Sequence, residues 1–221
     1  MREAQAVEEA KPGATAAALI ERLEHRFAEL GTRHDEKFAK VERLILEGIG
    51  QDGFAAFERA QKELGALLGF EAGNEETDGA PDPWWMANGD FAIVFEDFTE
   101  AAPKTLLPVT KARQVSSHPN WLRNRLALGK DATIIPVLVS GISGAVPEAA
   151  VHLENVAFWN VHDFRTWAAN ALVVIRSLRT TYPGAGDLFW REEAMAAYAA
   201  NGLDPASLAE RLQPLRGSAT F

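Results

Sequence analysis

Apolar residues recur at intervals of three and four from about Ala14 to Ile49. Leu19, Ile20, Leu23, Phe27 and Leu30 form one stripe, Gly31-Thr32 interrupts it, and Phe38, Val41, Leu44 and Ile45 resume it. Charges fill the opposite face. The pattern predicts a helical N-terminal arm whose stripe must be buried on the core or on a second copy of itself, so a homodimer through these helices is one expectation. The heptads are too few and too broken for a coiled coil. After the break Gly50-Gln51-Asp52-Gly53 the stripe Phe54, Phe57, Leu64, Leu67 and Leu68 predicts a further helix that stops at Gly69. Gly73 to Gly89 is rich in Gly, Pro, Asn and acid and reads as largely loop.

The pattern then changes period. In Asp90 to Glu96, Phe91, Ile93 and Phe95 alternate with Ala92, Val94 and Glu96, which predicts a strand. A helix is expected from about Val109 to Leu128, running past Pro119. The apolar run Thr133 to Ser140, closed by Gly141 and Gly144, predicts a strand buried on both faces. A third strand is expected in Val156 to Val161, followed by a helix from a cap near Asp163 to about Thr181. Leu188 to Ala200 and Asp204 to Leu212 predict two closing helices. The expected class is α/β, a mixed central sheet flanked by helices. It divides into a tail and arm at 1–50, a core at 51–185 and a C-terminal helical extension at 186–221.

Composition narrows the chemistry. The 221 residues contain no cysteine, which excludes disulfides, thiolate zinc sites and a cysteine nucleophile. No apolar run approaches the ~18 residues of a membrane span. Met1 to Pro12 is polar and acidic with no apolar h-region, so a cytoplasmic address is expected and no membrane partner. The net charge of -9 argues against a general nucleic-acid coat protein. The charge is nonetheless unevenly placed. Glu71 to Glu100 carries Glu71, Glu75, Glu76, Asp78, Asp82, Asp90, Glu96, Asp97 and Glu100 with no Lys or Arg. Ala101 to Lys130 carries Lys104, Lys111, Arg113, Arg123, Arg125 and Lys130 with no Asp or Glu. An acid block before a base block suits a metal site beside a phosphate-binding face; two solvated faces would look the same.

The candidates within these blocks are Asp82 in Pro81-Asp82, Glu96 at the end of the predicted strand, and Lys111, Gln114 and His118 on the following helix. Each has an ordinary alternative: a turn residue for Asp82, a strand-end acid for Glu96, solvated helix positions for the others. Trp84-Trp85 either offers a stacking platform or packs one ring inward while the other covers the domain edge. His152 and His162 have no spacing partner for zinc. No P-loop, dinucleotide fingerprint or nucleophile elbow is present.

From about Phe54 to Tyr182 this order of elements and acids resembles the PD-(D/E)XK superfamily of restriction-endonuclease-like nucleases. The resemblance implies a mixed four- or five-stranded sheet, with Asp82 as the proline-linked aspartate and Glu96 as the second acid. Gln114 and His118 partly match a Q-x-x-x-Y pattern found in some branches. The family's E-x-K would place a lysine where this chain has Phe98. Lys111, or next Lys104, is the candidate for a migrated lysine. The resemblance implies a Mg²⁺- or Mn²⁺-dependent endonuclease, with DNA expected ahead of RNA. Asp82 and Glu96 would hold the metal, Lys111 would assist the water, and Gln114, Arg113, His118, Arg123 and Arg125 would lie along the strand. The rival expectation, drawn from Phe98, is a module that keeps the fold and binds nucleic acid or protein without cutting.

Overall fold

A computed structural model of the chain describes residues 12–31, 35–51, 53–75, 81–102 and 104–221. Thr32, Asp52, Glu76, Asp78 and most of the expected tail lie outside them. The elements run α1 (Pro12–Glu29), α2 (Glu36–Gly50), α3 (Phe54–Leu67), β1 (Glu71–Gly73), β2 (Trp84–Asn88) and β3 (Phe91–Phe98). They continue through α4 (Val109–Arg125), β4 (Thr133–Ser140), a 3-10 helix (Pro147–His152) and β5 (Ala157–Asn160). The helices α5 (Val161–Thr181), α6 (Leu188–Ala200) and α7 (Pro205–Arg211) close the chain.

The five strands lie in chain order in one open mixed sheet. β1, β2 and β3 form an antiparallel meander. β3 and β4 pair in parallel along eight residues, from Phe91 opposite Thr133 to Phe98 opposite Ser140, and α4 makes the crossover between them. β4 and β5 are also parallel. The α/β class and the mixed sheet are therefore present.

One strand, β2, falls inside the stretch expected to be largely loop, and β1 ends at its first residue, Gly73. β2 carries Trp84 and Met86 half-buried on one face and Trp85 and Ala87 buried on the other. The turn Asn88-Gly89-Asp90 returns the chain directly into β3, with Asn88 opposite Phe91. Asn-Gly and Gly-Asp are hairpin signals, and the Pro and acid flanking β2 had masked them. The start of α5 also differs. Its N-cap is Asn160, whose side chain accepts from the His162 N–H at 2.9 Å, while Asp163 sits within the first turn. α4 ends at Arg125, three residues short of the expected limit, and it runs through Pro119.

The N-terminal stripe is buried on the chain's own core. Leu19, Ile20, Leu23, Phe27, Phe38 and Ile45 belong to one continuous apolar cluster with Trp85, Ile93, Phe95, Phe164, Ile175 and Leu208. Of the two burials that the stripe allows, the structure shows the one on the core. The other face of the sheet packs under α4. Ala92 and Val94 meet Leu122 and Trp84 there, and Leu138 meets Leu107, Ala112 and Val115. Among the described residues no helix is long and apolar enough to cross a membrane.

Candidate functional site: carboxylates at the end of the third strand

The antiparallel register brings the start of β2 beside the end of β3, and the Phe95 N–H donates to the Pro83 carbonyl at 3.0 Å. Asp82, just before β2, is thereby placed against Glu96 and Asp97. The Asp97 backbone N–H donates to Asp82 Oδ2. Sequence distance is converted into contact by the hairpin alone.

β3 extends two residues beyond its predicted end, and alternation then decides where each acid points. Glu96 shares the α4 face with Ala92 and Val94. Its carboxylate is 1% exposed and engaged at both oxygens. Lys111 Nζ donates to Oε1, and His118 Nε2 lies 2.7 Å from Oε2. Asp97 shares the opposite face with Ile93 and Phe95 and is likewise 1% exposed. Neither of its carboxylate oxygens has a hydrogen-bond partner among the described residues.

The surroundings of Asp97 are acidic. Burial pushes its carboxyl well above the usual aspartate range, and the charges of Asp82, Glu58 and Glu96 push it further. The Gln61 carboxamide of α3 approaches the carboxylate as a donor and opposes that shift. The contact falls short of ordinary hydrogen-bond geometry, and neither polar atom of the carboxamide has another partner among the described residues. Asp82 is raised to about 7, first by burial and then by the charge of Glu96, with Glu58 adding a smaller push. The Asp97 N–H and the Lys111 ammonium pull it back. Glu58, on the same helix as Gln61, accepts from Asn74 Nδ2 at 3.0 Å. Burying mutually repelling carboxylates is costly, and such arrangements concentrate at functional sites.

The structure thus gathers Asp82, Glu96, Lys111 and His118, four of the expected residues. It separates others. His118, expected to touch a nucleic-acid strand, is fully buried and cannot reach one. Arg123 closes the turn after α4, donating to the carbonyls of Gly129, of Lys130 at 3.0 Å and of Ala132 at 3.2 Å. Arg125 is paired with Glu75 at 2.8 Å. Arg113 is exposed on α4, and Gln114 is half-buried beside Lys111. Trp85 packs inward and is fully buried, its indole donating to the Gln61 carbonyl at 3.0 Å. Trp84 is half-buried on the opposite face. Phe98 packs against the apolar cluster around Leu107 and Leu138.

Asp97, Glu58 and Gln61 were not anticipated. The signal for Asp97 was the strand alternation itself, carried one step further. After Phe91, Ile93 and Phe95, the next residue on the core face is a carboxylate. Glu58 and Gln61 are polar positions three apart on a helix whose neighbours Phe57 and Leu64 face the core.

The oxygen-only donor set suits a hard divalent cation. Among the described residues no three His, Asp or Glu groups form a ready-made metal cradle. A cation here would complete its shell with water and ligand oxygens, as Mg²⁺ commonly does. Comparison with known family models, curated proteins and solved structures finds no match to this chain.

Proposed function

We propose that the chain is a metal-dependent nuclease that hydrolyses phosphodiester bonds, with DNA ahead of RNA as substrate. The observation that carries this reading is the buried Asp97 carboxylate beside Asp82, Glu96 and Glu58, which accepts no hydrogen bond of ordinary geometry among the described residues. The arrangement is unfavourable in isolation and becomes favourable once a cation shares the oxygens. The mixed five-stranded sheet and the placement of Asp82 beside Glu96 accord with the restriction-endonuclease-like resemblance.

In this reading Asp82 and Glu96 hold Mg²⁺ or Mn²⁺, with Asp97 and Glu58 adding negative charge. The bound ion would neutralise phosphoryl charge and lower the pKa of water. Lys111 takes the place of the motif lysine that Phe98 cannot supply. Its ammonium already reaches Glu96, so it can orient an attacking water next to the acids. Gln114 flanks that position on α4, and exposed Arg113 extends the helix toward a phosphate backbone. Arg123 and Arg125 are engaged elsewhere, which leaves few cations for a long duplex footprint.

Those engagements, with the packing of Phe98, also favour a second reading: a nuclease-like module that binds nucleic acid or protein without cutting. Purified protein assayed on plasmid, single-stranded DNA and RNA decides between them. Cleavage that requires Mn²⁺ or Mg²⁺ and disappears in Asp82→Ala and Glu96→Ala supports the nuclease. Metal-independent binding without cleavage, unchanged in both variants, overturns it.

A further inference from the structure

We infer that His118 is a positioning residue that fixes the Glu96 carboxylate, whereas Lys111 is the partner free to leave it. The inference rests on the metal-dependent reading of the site and deepens it, by dividing two contacts that look equivalent into one permanent and one exchangeable.

Glu96 is a flexible side chain near the end of β3, and each of its oxygens has one partner from α4. An ionised carboxylate only accepts, so the His118 ring donates through Nε2. The ring is 0% exposed, and α4 holds it among the buried positions Val115 and Leu122. Its Nδ1 has no protein partner, so the Glu96 contact is the polar interaction that the ring makes among the described residues. A buried imidazole with two rotatable bonds cannot swing away without repacking that helix face. Lys111 differs in every respect. Its side chain is 30% exposed and flexible, and its charge is repelled by any cation that arrives at Glu96. Cation arrival therefore favours release of Lys111 toward the water or phosphate, while His118 continues to present Glu96 in one orientation.

This is the arrangement by which outer partners tune ligand groups, and losing one costs about 10–100-fold in metal affinity. Mn²⁺ titration by calorimetry, on the intact protein and folded variants, separates the two roles. His118→Met, which keeps bulk and removes the donor, is expected to weaken Mn²⁺ binding by about 10–100-fold. His118→Gln, whose amide reaches the position of Nε2, restores the wild-type affinity. Lys111→Ala retains or tightens Mn²⁺ binding while losing cleavage. Should His118→Met not fold, His118→Asn, a bond too short to reach Glu96, shows the same weakening. Wild-type affinity in folded His118→Met or His118→Asn overturns the inference alone, as does equal weakening in Lys111→Ala. A wild type that binds no Mn²⁺ overturns the proposed function and the inference with it.

Discussion

Asp97 puts a fully buried carboxylate where the alternation of Ile93 and Phe95 would place an apolar side chain. A carboxylate on the core face of a strand, with neither oxygen in a hydrogen bond of ordinary geometry among the described residues, is a penalty that ordinary packing does not impose. Leaving a buried polar group unsatisfied costs about 1–3 kcal/mol, and more when it is charged. Asp97→Asn removes the charge and keeps the shape. Without metal at pH 8 it is expected to raise unfolding stability by about 1–3 kcal/mol, read from the denaturant midpoint. The same variant is expected to weaken Mn²⁺ binding and cleavage. A variant both less stable and fully active would mean that Asp97 is a structural residue satisfied by water. Stability gained where function is lost is the ordinary trade at a binding site.

At the scale of elements, the site depends on how closely α3 lies on β2. Gly65 of α3 faces the Trp85 indole so tightly that a Cβ there would come within 2.2 Å of Nε1. The indole can therefore lie against the helix and donate to Gln61, which keeps the α3 side chains Glu58 and Gln61 over the end of β3. Gly65→Ala would gain about 1 kcal/mol of helix propensity. Overpacking against a fully buried tryptophan costs about 1–3 kcal/mol, so a net loss of stability and weaker Mn²⁺ binding are expected. Thermal unfolding and calorimetry of the variant check both. The sequence carried this level unevenly. The 3.6-residue periodicity of α1, α2 and α3 was legible because each has one dominant buried face. β3 was legible because large side chains at Phe91, Ile93 and Phe95 alternate with smaller ones, although both of its faces are buried. β2 was not, because five residues between a Pro-Asp-Pro step and a hairpin turn give too short an alternation to stand out. The pairing of Asp82 with Glu96 was implied by the family resemblance, whereas Asp97 and Glu58 became neighbours only through the helix–sheet contact. His118 looked like a surface residue because its helix is mostly polar, and only the Glu96 contact makes its burial tolerable.

For the molecule as a whole, two sets of carboxylates pull stability in opposite directions with pH. Glu24 of α1 is buried and bridged to Arg191 of α6 by hydrogen bonds of 3.0 and 2.7 Å, with the Gly186 N–H 3.3 Å away. The Arg191 hydrogen bond holds its carboxyl below the usual glutamate range. That contribution is present above the unfolded-state pKa and is lost only as pH falls through the lower folded value, so it adds no slope above about pH 5. Asp82 and Asp97 behave oppositely. Their folded carboxyls are raised, Asp82 to about 7, so the folded state holds more protons than the unfolded chain above about pH 4. Stability then falls as pH rises, because the slope follows protons bound in the unfolded state minus those bound in the folded one. In chelator, the denaturant midpoint is expected to fall between pH 5 and pH 8, and Asp82→Asn should flatten that decline. Saturating Mn²⁺ should reverse it at pH 8, by about 2.7 kcal/mol at a hundred times the dissociation constant. A midpoint that rises across this window and ignores Mn²⁺ would show that the acids at the end of β3 are not poised for a cation. The helices that seal the core would then be stabilising a scaffold whose activity lies elsewhere.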